Sequence, residues 1–135
     1  KHVSTLLPKS GAAKAQALEW LMFANATLHP PYARAFGLFK ADYTPETKEL
    51  LLSQLTSQIN NLWKEADEKL AKSKYIAGDS LTLADILITV IANWSGYFPG
   101  ITLGANVKRL LKEVSAMPSY QKALKEEQVE YKAAA

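Results

Sequence analysis

A carboxylate inside an apolar run is the first place in this chain where chemistry could reside. Asp85 stands within YIAGDSLTLADILI, residues 75–88. A buried aspartate can act as a general acid or base, ligate a metal, or accept backbone donors that the fold would otherwise strand. His29 is the second candidate, because an imidazole titrates near neutral pH. Metal chemistry finds no constellation: the two histidines, His2 and His29, lack paired ligand spacing, no HExxH stretch occurs, and cysteine is absent. That absence also removes disulfides and cysteine nucleophiles from this chain. No serine sits in a GxSxG elbow and no glycine-rich phosphate loop is present.

The spacing around Asp85 favours architecture over catalysis. With Thr82 as N-cap, Asp85 falls at the third helical position, the place of the acidic member of a capping box. The Thr82 hydroxyl can accept the Asp85 N–H, and the carboxylate can accept the Thr82 N–H in return. Leu81 before the cap and Ile86 at the fourth helical position complete a hydrophobic staple. The helix that follows, Leu83 to about Trp94, is apolar nearly all round, which predicts a central buried helix. Such a helix cannot leave its first N–H groups to water.

The other elements also read at helical period, divided by proline and glycine, and no strand alternation stands out. A first helix from about Ala12 carries Ala13, Ala17, Trp20 or Leu21, Ala24 and Leu28 inward until Pro30-Pro31 stops or kinks it. A short piece through Phe36 and Leu38 continues it. Thr44, Pro45 and Glu46 suit N-cap, first helical position and positive dipole end, opening a long helix with Leu52, Leu55, Ile59, Leu62, Ala66 and Leu70 on its core face. Trp20 and Trp63 lie on helical stripes and read as core or interface. Lys64, Glu65, Asp67, Glu68 and Lys69 are expected to project into solvent. After a loop, SGYFPGITLG, a helix runs through Val107, Leu110, Leu111 and Val114, and Pro118 begins a last short one. The expected fold is all-α, a bundle of about five helices around a buried central helix. Residues 1–10 read as a linker, 11–127 as the domain, and 128–135 as a fraying tail.

Bulk composition agrees with an ordinary compact domain: 135 residues, 48% hydrophobic and 21% charged. The net charge of +3 comes from scattered basic residues, which argues against a nucleic-acid surface. No apolar run reaches the roughly 18 residues of a membrane span, and no signal-peptide pattern opens the chain. The lack of cysteine is compatible with a reducing cytoplasm. A start at Lys1 followed by HVSTLLPKSG suggests a piece of something longer.

YIAGDSLTLADI resembles the capping-box and staple motif that opens the central helix of the C-terminal, all-helical domain of cytosolic glutathione transferases. EWLMFANATLHPPYARAF is similar to the first long helix of that domain, and MPSYQKALKEE to its closing segment. His29 falls where bacterial beta-class transferases carry a histidine beside the cleft, although Pro30 replaces their usual lysine. WLMFANATLHPP also resembles the transferase-like domain of the elongation factor 1 gamma subunit, which uses this fold for assembly.

The resemblance implies a preceding thioredoxin-like domain that binds glutathione as co-substrate and supplies the thiolate-stabilising residue. It implies a homodimer formed through the first two long helices. This chain would then hold no catalytic residue and would be inactive alone, contributing the hydrophobic pocket for electrophiles. Phe23, His29, Tyr32 and Phe36 near the end of the first helix, with Trp94 and Tyr97 after the central helix, are the candidates for that pocket. For His29, contact with glutathione competes with a helix C-terminal role; for Tyr32 and Trp94, pocket and packing compete. The alternative is a non-catalytic interaction domain of the elongation factor or synthetase-complex type, since fold alone does not decide function.

Overall fold

The computed structural model describes residues 6–133; the expected linker's residues 1–5 and the expected tail's residues 134–135 lie outside these. The chain runs through α1 (Gly11–Met22), a π-helical stretch (Phe23–Leu28), α2 (His29–Lys40), α3 (Pro45–Leu70), α4 (Leu83–Ala92), a 3₁₀ turn (Asn93–Tyr97), α5 (Ala105–Ser115) and α6 (Pro118–Glu127). Segments that follow without a break form five rods, so the all-helical bundle expected from periodicity is the observed fold. α2 packs on α3, α1 on α4, and α5 on both α3 and α4. The core gathers Leu28, Tyr32, Ile59, Trp63, Ile76, Ile88, Ile91, Leu110 and Leu111, all essentially without exposure.

Pro30-Pro31 does not end the first helix. Neither ring can donate to a carbonyl one turn back, and both would crowd that turn. The π-helical stretch just before them widens the ladder: the His29 N–H reaches the Ala24 carbonyl, five residues back. The rod therefore passes the prolines and continues to Lys40.

The capping box at Thr82 forms, with its weight on the aspartate. The Thr82 N–H and hydroxyl donate to one Asp85 oxygen at 2.8 and 2.9 Å, and the Ile76 N–H donates to the other at 2.7 Å. Both reciprocal contacts of the box are present, the threonine oxygen facing the Asp85 N–H and the carboxylate facing the Thr82 N–H. The Ile76 bond, invisible to helix spacing, ties the preceding loop to the helix start. Leu81 and Ile86 are half-buried against the core, as a staple requires. α4 itself is not buried all round. Ala84, Asp85, Ile88, Thr89, Ile91 and Ala92 face inward, whereas Leu83 and Val90 remain 39% and 41% exposed. α1, α5 and the π-helical stretch pack on its inward side.

Asp67 corrects the reading of residues 64–69 as a solvated face. Its carboxylate accepts the Val107 N–H at 2.9 Å and the Asn106 amide at 3.0 Å, capping α5 from a neighbouring helix. The N-cap residue of α5 is Gly104 and offers no side chain; a Cβ there would overlap the Asp67 carboxylate. The glycine thus leaves room for a cap supplied in trans. Asp67→Ala and Gly104→Ala are each expected to lower stability in urea by about 1 kcal/mol. The double variant should lose less than the sum; strictly additive losses would show that the two do not share one cap.

The tail does not fray where it is described. The Asn93 side chain donates to the Glu130 carbonyl and accepts the Lys132 N–H, at 2.9 and 2.7 Å. The Tyr131 hydroxyl donates to the Thr89 carbonyl at 2.8 Å. These bonds strap the segment after α6 across the end of α4.

Candidate functional site

The residues singled out for an apolar pocket mostly converge, because the end of α4 and its 3₁₀ extension lie against α2. The Trp94 ring lies 5.1 Å from His29, 5.9 Å from Tyr32 and 6.1 Å from Phe36, centre to centre. Phe36 in turn meets Tyr97 at 5.6 Å and Phe98 at 4.9 Å, both edge to face. Such tilted contacts are the favourable geometry between aromatic quadrupoles. Phe23 lies elsewhere: its ring partner is Trp20, at 4.9 Å.

Burial sorts the candidates by role. Tyr97 is 64% exposed, while His29, Phe36 and Trp94 are half-buried. Tyr32 is fully buried, so it backs the cluster from inside and cannot line a pocket by its ring face. The Trp63 indole N–H donates to the Tyr32 oxygen at 2.7 Å, and that oxygen lies 2.6 Å from the Ser95 hydroxyl. Burial pushes the Tyr32 phenol above its usual range, opposed by the hydrogen bonds with Ser95 and Trp63; it is neutral at physiological pH. Trp63 is core, as its stripe predicts.

Sequence reasoning missed Phe98, Phe39 and Ser95. Phe98 sits in the loop FPG and is only 2% exposed; Phe39 stacks on it at 5.6 Å with near-parallel rings. The available signal was an aromatic pair, Tyr97-Phe98, ahead of a Pro-Gly turn.

On the other flank of Trp94 lies a hollow of about 380 Å³ between α4 and α6, bordered on one side by the strapped tail. Ile86, Val90, Met117, Tyr120, Leu124 and Val129 make it chiefly apolar. Tyr120 and Tyr131 meet edge to face at 5.8 Å. Burial, with Glu127 adding, raises the Tyr120 phenol to about 12, and burial raises Tyr131 as well. Trp94 is therefore a partition between an aromatic cluster and an apolar hollow.

This arrangement can hold flat apolar groups, with His29 and Ser95 as polar points at its edge. Among the described residues no group of His, Cys, Asp or Glu is placed to hold a metal ion, and no helix is long and apolar enough to cross a membrane.

Comparison with known proteins places these features in context. The family described as glutathione S-transferase, C-terminal domain, matches residues 18–118. The disulfide-bond oxidoreductase YghU of Escherichia coli K12 is 27% identical over 130 residues, covering 86% of this chain and 42% of that protein. A glutathione S-transferase from Xylella fastidiosa superposes with a TM-score of 0.79 at 24% identity, covering 90% of this chain and 59% of that one. A glutathione transferase family member from Pseudomonas fluorescens, solved with two glutathione bound, gives a TM-score of 0.71 at 25% identity over 89% of this chain and 56% of that one. The chain spans less than half the length of the curated relatives it matches.

Proposed function

The chain belongs to the glutathione S-transferase C-terminal domain family, and from that premise we propose that it is the electrophile-binding half of a two-domain glutathione transferase. Residues 1–10 would link it to a thioredoxin-like domain that binds glutathione and activates its thiol, since the thiolate is the reactive form. The parent would conjugate glutathione to hydrophobic electrophiles in the cytoplasm, as a homodimer joined through α1–α2 and α3, and this chain alone would be inactive.

The observation that carries the reading is the aromatic cluster of His29, Phe36, Trp94 and Tyr97 after the C-terminal end of α4. On α4 itself Leu83 and Val90 remain partly exposed, Val90 at the rim of the α4–α6 hollow. Exposed apolar side chains of that kind suit a packed neighbouring domain, and a cluster after the end of the helix would face the cleft between the two. The named relatives support this reading over an assembly-only domain of the elongation factor type.

The test joins the chain to its natural preceding domain and measures glutathione consumption against a panel of hydrophobic electrophiles. Trp94→Ala is expected to raise the KM for an aromatic electrophile by about tenfold, the worth of a truncated aromatic contact, with the KM for glutathione unchanged. Absence of glutathione binding by the joined protein would end the proposal.

A further inference from the structure

The hollow between α4 and α6 carries one charge in an apolar wall. Tyr120, Ala123, Leu124 and Glu127 follow one another at i, i+3, i+4 and i+7 on α6, and all four line it. Glu127 thus stands where the stripe calls for an apolar side chain. It is also the last residue of α6, at the negative end of the helix dipole, where a carboxylate is disfavoured. The acids around it have cations: Glu126 pairs with Lys122 at 3.7 Å and Glu130 with Lys132 at 3.3 Å. Among the described residues no basic nitrogen lies within ion-pair distance of Glu127, and no other charged side chain is in the lining.

Aromatic rings stand beside that carboxylate. Tyr120 and Tyr131 border the same hollow, their planes at 90° to each other. The Tyr131 hydroxyl is committed to the Thr89 carbonyl on α4, which anchors its ring in the tail strap. Burial first and the Glu127 charge second raise the Tyr120 phenol to about 12, so carboxylate and phenol share one corner. Aromatic faces attract a cation within about 6 Å, and a carboxylate attracts it as well. A neutral ligand would gain nothing from Glu127, and an anion would be repelled. Because Glu127 is exposed, a charged head at this rim keeps part of its hydration while an apolar body enters the hollow, whose volume of about 380 Å³ suits a small ligand.

We propose that the α4–α6 hollow binds a small hydrophobic organic cation, an ammonium with an aryl or alkyl body. Glu127 is its counter-ion, Tyr120 and Tyr131 stand against the ammonium head, and Ile86, Val90 and Leu124 surround the body. The site is separate from the aromatic cluster on the far flank of Trp94 and does not rest on the reading of that cluster.

The test uses this chain and two probes of nearly identical shape, 3-hydroxyphenyltrimethylammonium and 3-tert-butylphenol, which differ by N⁺ against C, at mildly acidic pH where both phenols are neutral. Binding is followed by the Met117 methyl signal in proton–carbon correlation spectra. The other methionine, Met22, does not line the hollow and serves as the control. The cation is expected to bind about tenfold more tightly than the phenol. Glu127→Gln should cut the affinity for the cation about fivefold and leave that for the phenol unchanged, whereas Glu126→Gln, outside the lining, should change neither. Equal binding of the two probes, an equal loss in Glu126→Gln, or a Met117 signal that neither probe moves overturns the site. The chain joined to its preceding domain should bind the cation equally well; loss of binding there would mean that this domain covers the hollow, which overturns the site and leaves the transferase reading standing.

Discussion

Asp85→Ala should lower the unfolding free energy by about 3 kcal/mol, through stranding of buried donors. The carboxylate accepts the Ile76 N–H, the Thr82 N–H and the Thr82 hydroxyl, and Asp85 has no exposure through which water could replace it. Alanine leaves all of these donors without a partner and severs the bond that joins the 75–78 turn to α4. Equilibrium urea denaturation with an unchanged midpoint would refute this. Asp85→Asn is the sharper control, since it keeps the shape but places a donor amide against donors.

The pH dependence of the same site has a definite sign. Burial, the largest influence, raises the Asp85 carboxyl above its ordinary range, against the hydrogen bonds from Ile76 and Thr82 that lower it. A carboxyl with a raised folded value binds its proton more tightly folded than unfolded. Its contribution to stability therefore falls as pH rises from the ordinary aspartate value through the raised one, and grows on acidification across that window. The stability difference between the unaltered chain and Asp85→Asn should increase from neutral pH toward mildly acidic pH. A decrease would mean that the hydrogen bonds outweigh burial.

Trp63→Ala is expected to destabilise the fold by about 4 kcal/mol, in the range of large aromatic deletions from a core. Trp63 is the largest fully buried side chain, and it also supplies the donor that Tyr32 accepts. Tyr32→Phe keeps nearly all of the packing but strands the indole N–H, so about 2 kcal/mol is expected there. In a double-mutant cycle with Trp63→Phe, which removes the donor as well, the two losses should fall short of additivity. Thermal or urea unfolding of the four proteins reads this directly; full additivity would mean that the indole–phenol bond contributes nothing.

Several features were legible before any coordinates. Thr44-Pro45-Glu46 begins α3 as its residue types require, with the Thr44 oxygen accepting the Thr47 N–H. The same local chemistry started α4 at Thr82 and assigned Asp85 to architecture, and the motif containing it pointed to the family. The resemblance offers His29, Phe36, Trp94 and Tyr97 as candidates, and their rings meet in space. Other features were not legible. Asp67 looked like one more charge on a polar helix face; only the approach of α5 turns it into a cap, 40 residues away along the chain. Phe98 reads as an ordinary loop residue and Tyr32 as either pocket or packing; only the tertiary packing, which buries both, decides.

The division has a physical cause. Helix starts, stops and inward faces depend on interactions within a turn or two, so residue types at short spacing determine them: that much, with the family motif, belonged to the sequence alone. The pairing of hydrogen-bond partners across 31 or 63 residues, as in Trp63–Tyr32 and Tyr32–Ser95, depends on where whole rods settle once the core closes. So do the cap at Asp67, the strap at Asn93 and the exposure of Leu83 and Val90 on α4. Only tertiary structure could decide these, because no local spacing encodes which distant donor will meet which acceptor.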